Sequence, residues 1–280
     1  MNLNSIDLGD FIDLERYPVH QLDSEQGRAL IGRCQKMMAA ETICVLPGFL
    51  RQELVDKLVM EITGLQKEVR KVDYLSTIYG WMNNEGFDNS HPRSQLLRRH
   101  CGVITTEQLD PEGFCLQLFQ FDQLTEFVRR LLDYETLYRS ACPHISVRIN
   151  TMDSGEEFGW HFDTNDGVVS FIIQNADNGG LFEYVPLIRS EEDENYTGVK
   201  RILDGADSPN QADLPPGTFS LFLGRRSLHR VSPVENSAHP RQSLLFSYDR
   251  LADMVFPEKI QKRLTEPTSE PFLGALTTDS

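Results

Sequence analysis

The chain of 280 residues is acidic: 42 aspartate and glutamate residues outnumber 27 lysine and arginine residues, for a formal net charge of −15 at pH 7. Proteins that bind nucleic acid neutralise phosphates with Lys and Arg, so this balance argues against a nucleic-acid partner. The hydrophobic content of 40% is typical of a soluble globular protein, and no apolar run approaches the roughly 20 residues of a membrane-spanning helix.

The first half of the chain carries helical periodicity. Residues 24–40 and 49–70 place apolar side chains at helical spacing, and Pro47-Gly48 marks the break between these two predicted helices. A third helix is predicted over residues 121–139. Residues 1–143 are therefore predicted to form a mainly helical N-terminal part of the same domain as the rest of the chain.

After residue 143 the pattern changes to short β-rich runs, separated by turn-forming Gly and Pro residues. The predicted strands are residues 145–150, 168–174, 181–185, 219–223 and 244–248. Short strands with such turns are typical of an antiparallel double sheet. The predicted fold class is α+β, with a jelly-roll core over residues 144–250 and the N-terminal helical half packed around it.

Two segments of the second half lack strand patterns. Residues 190–213 form a polar, acidic connection that contains a short predicted helix near residues 196–203. A connection of this length in a compact domain is typically a lid or a disordered segment, so we predict a lid-like loop. Residues 251–280 are predicted to be a weakly ordered C-terminal segment.

Polar residues interrupt the apolar strand-like runs in a specific order: His161, Asp163, His229, Arg241 and Ser243. In an extended strand, residues i and i+2 share a face. His161 and Asp163 are therefore expected to point the same way, and so are Arg241 and Ser243. Two histidines and one carboxylate are the ligands of the facial triad that holds non-haem Fe(II). A buried arginine requires an anion, and the far carboxylate of a 2-oxo acid cosubstrate would provide one.

Less specific explanations exist for each of these residues. With 7 His and 42 acidic residues, a His-x-Asp or His-x-Glu pattern occurs by chance about once in this chain. His161 and Asp163 alone are therefore also explained by a hydrogen-bonded pair at a strand end. A surface salt bridge is the minor alternative for Arg241, and a serine inside a strand needs no function.

The residues around this pattern are more specific. His161-Phe162-Asp163, with His229 and Arg241, resembles the iron- and 2-oxoglutarate-dependent oxygenases. The chain from about residue 12 to residue 250 is similar to one branch, the free-amino-acid halogenases and their hydroxylase relatives. The stretches that carry this resemblance are His91-Pro92-Arg93, Gly159-Trp160-His161-Phe162-Asp163, Asn178-Gly179-Gly180-Leu181-Phe182-Glu183-Tyr184, Asp193-Glu194-Asn195-Tyr196 and Gly224-Arg225-Arg226-Ser227-Leu228-His229-Arg230-Val231-Ser232-Pro233-Val234.

The resemblance implies a double-stranded β-helix core and the use of Fe(II), 2-oxoglutarate and dioxygen. It implies that His161, Asp163 and His229 hold the metal, and that Arg241 and Ser243 bind the C5 carboxylate of 2-oxoglutarate. The halogenases of this branch have a small residue at the position of Asp163, which opens a halide site. A carboxylate at this position therefore predicts hydroxylation, or another oxidation, instead of halogenation.

Candidate substrate contacts follow from strand alternation. Arg148 and Asn150 alternate with apolar residues, so one polar face of that strand is predicted to look into the barrel, and His144 shares this face. We assign Asn150 to the cosubstrate, and Arg148 and His144 to the substrate. Arg93, Arg98 and Arg99 are candidates for a substrate carboxylate, and Trp160 and Tyr184 are candidates for the pocket wall. The predicted substrate is a small polar molecule, a free amino acid or a natural-product building block.

Two other classes of function remain open at this level. One is a non-catalytic jelly-roll module that binds a metal or a ligand, and the other is a regulatory protein that acts through its acidic loop. The five cysteines lack Cys-x-x-Cys spacing, and no signal peptide is recognisable, which predicts a reduced, cytoplasmic location. The oligomeric state is not indicated.

Overall fold

The computed structural model describes residues 7–80, 82–164, 168–266 and residue 271. Its helices are α1 (Leu8–Phe11), α2 (Glu25–Glu41), α3 (Gln52–Gly64), α4 (Phe114–Gln120), α5 (Asp122–Leu131), α6 (Tyr196–Leu203) and α7 (Glu258–Thr265). Its strands are β1 (Ile43–Leu46), β2 (Arg70–Thr77), β3 (Leu96–Thr105), β4 (Tyr138–Arg139), β5 (Val147–Met152), β6 (Glu157–His161), β7 (Val168–Gln174), β8 (Phe182–Val185), β9 (Asn210–Ala212), β10 (Phe219–Phe222), β11 (Leu228–Val231), β12 (Arg241–Phe246) and β13 (Tyr248–Asp249). Among these helices, none is both long enough and apolar enough to cross a membrane.

The predicted helices are present. Local signals explain where α2 begins and where α5 ends. Helix α2 begins after Ser24, whose side chain accepts a hydrogen bond from the Gly27 amide at 2.9 Å, as preferred at an N-cap. Helix α5 ends at Leu131, eight residues before the predicted end at Arg139. Asp133 takes a left-handed conformation with φ of 53° directly after α5, and such a residue commonly terminates a helix.

Eleven strands form one curled antiparallel sheet in the order β1-β10-β7-β12-β5-β3-β6-β11-β8-β9, with β2 added along β3. From β5 to β12 the strands alternate between its two halves, except that β9 stays beside β8: β5, β7, β10 and β12 lie in one half, and β6, β8, β9 and β11 in the other. Strand β3 joins the halves because its Arg99 and His100 pair with β6, whereas Gly102 to Thr105 pair with β5. This alternation is the topology of a jelly roll.

The N-terminal half contributes more β structure than predicted. Residues 43–46, 70–77 and 96–105, all within the part predicted to be mainly helical, are strands β1, β2 and β3 of the same sheet. Strand β2 and the start of β3 carry several charged residues, as in Arg70-Lys71-Val72-Asp73-Tyr74, so local hydrophobicity does not mark them as strands. Strand β1 is apolar but only four residues long. The partner strand satisfies some of these charges, since Arg98 on β3 forms a bidentate pair with Asp73 on β2.

The helices cover the outer face of the sheet half that contains β5, β7, β10 and β12. Val147 and Ile149 of β5 point outward into this core, together with Phe171, Phe219 and Phe246 from the neighbouring strands. Because side chains alternate along a strand, the residues between them point into the barrel. The sheet therefore separates an apolar helical layer from an interior that is open to polar side chains.

The C-terminal part contains helix α7, within residues 251–280 that were predicted to be weakly ordered. Leu264 of α7 is buried beside Val72 and Cys101, so α7 closes one side of the barrel interior. Residues 267–270 and 272–280 of this prediction lie outside the described residues. In the predicted lid-like loop 190–213, helix α6 buries Val199 and Ile202, and lid movement stays a prediction.

Candidate metal centre and cavity

Two neighbouring strands of the smaller sheet half bring the predicted metal ligands together. His161 is the last residue of β6, and His229 lies directly opposite on β11, where a bulge interrupts the pairing. Asp163 follows β6, and its amide donates a hydrogen bond to the Gly224 carbonyl at 3.1 Å. His161, Asp163 and His229 are the one group of three potential metal ligands found within the described ranges 7–80, 82–164, 168–266 and residue 271.

The three side chains converge on a common point. The Nε2 atoms of His161 and His229 lie 3.8 Å and 3.5 Å from the two carboxylate oxygens of Asp163. One ligand atom from each residue lies within 4.8 Å of the others. Such spacing allows a single metal ion to contact all three side chains, and it leaves the rest of the coordination sphere open.

Backbone carbonyls set the tautomers of both histidines. Nδ1 of His161 lies 2.9 Å from the Gly159 carbonyl, and Nδ1 of His229 lies 3.1 Å from the Ser227 carbonyl. A carbonyl oxygen only accepts, so each Nδ1 carries the proton and each Nε2 presents its lone pair toward Asp163. Burial lowers the pKa of both imidazoles below the usual range, which favours the neutral, coordinating form. The donor set therefore fits a divalent metal such as Fe(II).

A cavity of about 270 Å³ adjoins this centre and is lined by residues from both halves of the sheet. Its charged lining residues among those described are Asp163 and four arginines, Arg99, Arg148, Arg241 and Arg263. Ser170 and Ser220 also line it, and their hydroxyl oxygens lie 2.8 Å apart. The cavity is thus cationic, although the protein as a whole is acidic.

Arg241 lies on the cavity wall as predicted. It faces Met152 across the β12–β5 pairing, and Ser243, the next residue on the same face, faces Asn150. Its guanidinium donates to the Ser243 hydroxyl at 3.3 Å. Only 5% of Arg241 is exposed, and burial lowers its pKa to about 10. No acidic side chain in the described ranges pairs with it, so the site fits an anionic ligand group.

The other candidate residues divide by location. Arg148 lines the cavity, as the strand alternation predicts. Arg93 does not, because its guanidinium bonds to the Asn83 carbonyl and lies over the Phe87 ring. Arg98 is held outside the cavity by its pair with Asp73.

His144, Trp160 and Tyr184 also lie away from the cavity lining. His144 is half-exposed and lies 3.3 Å from Glu107, because its position just before β5 turns it toward the surface. Trp160 is buried under the Arg230 guanidinium, on the opposite strand face from His161. The Tyr184 hydroxyl donates to Glu41 at 3.3 Å.

Arg99 is the one of the three predicted carboxylate-binding arginines that reaches the cavity. Its guanidinium lies 4.4 Å from the centre of the Phe158 ring, which in turn contacts the His161 ring edge-on at 4.7 Å. Phe158 was not among the predicted site residues. Residues three apart lie on opposite faces of a regular strand, so the sequence did not predict that Phe158 and His161 share the interior. The irregular pairing of β6 with β11 brings both side chains there.

Comparisons with known proteins are consistent with this geometry. A family model described as "HalD: Halogenase D" matches residues 27–262, which is more than half of the chain. A search of curated proteins found no significant match.

Three solved structures illustrate the likeness in fold. An oxidoreductase of the 2OG-Fe(II) oxygenase family from Burkholderia pseudomallei shares 16% identity with a TM-score of 0.52, over 80% of this chain and 92% of the other. A prolyl-4-hydroxylase from Pseudomonas putida shares 13% identity with a TM-score of 0.50, over 79% and 100% of the two chains. The α-ketoglutarate-dependent epimerase SnoN from nogalamycin biosynthesis shares 12% identity with a TM-score of 0.57, over 90% and 97%. These similarities confirm the predicted α+β jelly roll.

Proposed function

This chain belongs to the Halogenase D family, and from that membership we propose that it is an Fe(II)- and 2-oxoglutarate-dependent dioxygenase that hydroxylates a small polar substrate. The observation that carries the proposal is a single cavity with two features. At one place the His161, Asp163 and His229 ligand atoms converge, and at another Arg241 is buried with no acidic partner among the described residues.

The residues of the chain have distinct roles in this proposal. His161, Asp163 and His229 hold Fe(II), and Arg241 binds the C5 carboxylate of 2-oxoglutarate in a charge-assisted pair. Ser243 and Asn150, paired across the two strands beside Arg241, orient that carboxylate. When bound, Fe(II) and 2-oxoglutarate reduce dioxygen and supply the oxidant for a C–H bond, with succinate and carbon dioxide as coproducts.

Asp163 is the basis for proposing hydroxylation within a family named for halogenation. Its carboxylate lies within 4 Å of both imidazoles and would occupy, at a bound metal, the coordination position that a halide needs. We expect a hydroxylated product even at high chloride concentration, measured by mass spectrometry of the reaction with its substrate. A dominant chlorinated product would contradict this assignment.

The substrate is proposed to be a free amino acid or a related natural-product building block. Arg99 lies over the Phe158 ring, which in turn contacts His161, so Arg99 can bind a substrate carboxylate on the side of the cavity that holds the metal. A substrate screen that couples turnover to succinate release tests this proposal. Turnover that occurs only with peptides or with carrier-protein-tethered substrates would refute it.

The cofactor pair is tested by anaerobic titration of Fe(II) and 2-oxoglutarate, with the visible metal-to-ligand charge-transfer band as readout. We expect a band in the wild type and none in His161→Ala. In Arg241→Ala we expect a roughly 10- to 100-fold weaker affinity for 2-oxoglutarate, because a charged hydrogen-bonding partner is lost.

The matched control is Arg33→Ala, an exposed arginine on α2, which should leave the band unchanged. A folded wild type without a band would mean that the site does not bind this cosubstrate. A non-catalytic jelly-roll binding module would then be the better explanation.

A further inference from the structure

Arg148 is a second cation, partly buried, on the wall that carries Arg241. It lies on β5, faces Leu245 of β12 on one side and Thr105 of β3 on the other, and lines the cavity. Its Nε atom is fully shielded from solvent and has no hydrogen-bond partner. Among the described residues, neither an ion pair nor a hydrogen bond satisfies its guanidinium.

An arginine in this environment needs an anion. Burial lowers the pKa of Arg148 below its usual value, and only partial compensation comes from nearby groups such as Asp163. Asp163 lies close to both histidines of the metal centre, and its charge is used by the metal in the proposed function. A partly buried guanidinium whose Nε is shielded and lacks a hydrogen-bond partner is retained at a cost in free energy, which a bound anion would offset.

The cosubstrate does not account for Arg148. Arg241 faces Met152 and Arg148 faces Leu245, so four residues along each strand separate them. At about 3.3 Å per residue this is about 13 Å between backbone positions. In the proposed function the C5 carboxylate of 2-oxoglutarate lies at Arg241 and the C1 carboxylate at the metal, so both of its acid groups are already used.

We propose that the substrate is a dicarboxylic acid, and specifically an acidic amino acid or a close relative, whose second carboxylate is bound by Arg148. This inference rests on the proposed function, in which Arg99 binds the first carboxylate. Both arginines line the same cavity, and each lies near enough to His161 and to the other arginine for their charges to interact.

The charges of the cavity favour an acid over a basic amino acid. Apart from the metal ligand Asp163, no acidic side chain lines the cavity in the described part of the chain. A lysine-like side chain would place its ammonium group beside Arg148, where like charges repel and no carboxylate compensates. The wall thus selects for negative charge at both ends of the substrate.

The test uses the 280-residue chain loaded anaerobically with Fe(II) and saturating 2-oxoglutarate, and it measures substrate binding by calorimetry. The probes are L-glutamate and L-aspartate, each beside its amide, L-glutamine or L-asparagine, because the amide keeps the shape and the first carboxylate but removes the second charge. We expect at least one acid to bind roughly 10- to 100-fold more tightly than its amide.

Three variants assign that preference to Arg148. Arg148→Gln should abolish the preference for the acid, and Arg148→Lys should keep part of it, since lysine retains the charge but not the bidentate geometry. Arg33→Gln, on the exposed face of α2, should behave as wild type. The charge-transfer band should remain in all three variants, because none of them changes a cofactor contact.

Other results separate the two proposals. Absence of the band in the wild type would overturn the proposed function, and this inference with it. A normal band with equal binding of acid and amide, or with no binding of either acid, would overturn this inference alone. Loss of 2-oxoglutarate binding in Arg148→Gln would assign Arg148 to the cosubstrate and also overturn it. If Arg148→Gln does not fold, the comparison of acid with amide in the wild type and in Arg148→Lys still tests whether Arg148 binds the second carboxylate.

Discussion

At the residue scale, the Gly224 backbone packs tightly against the Asp163 carboxylate. A Cβ atom at Gly224 would lie 2.0 Å from Oδ2 of Asp163, far inside van der Waals contact. The Gly224 carbonyl also accepts a hydrogen bond from the Asp163 amide, which fixes the Asp163 backbone beside the metal centre. A side chain at this position would displace the carboxylate.

We therefore expect Gly224→Ala to weaken Fe(II) binding at least tenfold, because a displaced Asp163 leaves only two ligands in place. Anaerobic titration of Fe(II) measures the affinity, and circular dichroism checks folding. The matched control is Gly32→Ala on α2, where no atom lies within 4 Å of a new Cβ. That change should leave metal binding intact and stabilise α2 by roughly 0.5–1 kcal/mol. Unchanged affinity in Gly224→Ala would contradict this account of the site.

Two adjacent arginines of β3, Arg98 and Arg99, lie on opposite sides of the cavity wall. Arg98 and Arg99 are adjacent, yet successive strand residues point to opposite faces. Arg98 therefore pairs with Asp73 outside the cavity, whereas Arg99 enters it. One position along β3 decides between a structural ion pair and a candidate substrate contact.

At the element scale, a cluster of ion pairs stabilises α5 and connects it to the start of α2. Glu126 bonds to both Arg129 and Arg130, and Arg130 also bonds to Asp23, just before the α2 N-cap. The hydrogen bond from Arg129 and the charges of both arginines lower the pKa of Glu126 from 4.5 to about 2. The folded state therefore holds the carboxylate ionised at lower pH than the unfolded chain does.

The sign of the pH dependence follows from this depressed pKa. The contribution of Glu126 to the free energy of unfolding is complete above about pH 4.5 and decreases as the pH falls toward about 2. Because the side chain is 39% exposed, we expect Glu126→Gln to lower the free energy of unfolding at pH 7 by less than about 1 kcal/mol. Urea unfolding at several pH values should show this difference shrinking between pH 4.5 and 2. The control is Glu112→Gln, an exposed residue, and a pH-independent difference would argue against the ion-pair cluster.

At the scale of the whole molecule, Phe49 links the helical layer to the sheet. Its ring lies within 5.0–6.1 Å of the rings of Tyr17, Phe127, Phe171 and Phe219, and it is fully buried. Phe127 belongs to α5, whereas Phe171 and Phe219 belong to β7 and β10. The aromatic cluster therefore supports the back of the sheet whose front carries Arg148 and Arg241.

Phe49→Ala should lower the free energy of unfolding by about 3–5 kcal/mol, through lost burial and the remaining cavity. Denaturant unfolding of the folded variant measures this loss. Met60→Ala on α3 is the control, since Met60 is 66% exposed, and it should change the free energy by no more than about 0.5 kcal/mol. A loss below about 1 kcal/mol in Phe49→Ala would mean that the helical layer contributes little to the fold.

The distribution of charge also belongs to the whole molecule. The chain has a net charge of −15, yet the charged residues that line the cavity, among those described, are four arginines and one aspartate.

All five cysteines are buried and free, so they serve as small apolar residues. The cytoplasmic location stays a prediction.

The sequence by itself determined the local features of this protein. Period-two alternation placed Arg148, Asn150, Arg241 and Ser243 on cavity-facing sides of their strands, and helical spacing identified α2, α3 and α5. The order of His161, Asp163, His229 and Arg241 predicted the candidate site. These features depend on neighbours along the chain, where the geometry of a strand or helix settles the direction of each side chain.

Tertiary structure alone decided which distant strands pair and in which register. The charged strands β2 and β3, the pairing of His229 with His161, and the entry of Arg99 into the cavity all depend on such pairing. So does the position of His144, Trp160 and Tyr184 outside it. The register of long-range pairing is set by burial of the whole sheet between the helices and the interior, and a shift of one residue would invert every face. No local pattern contains that information.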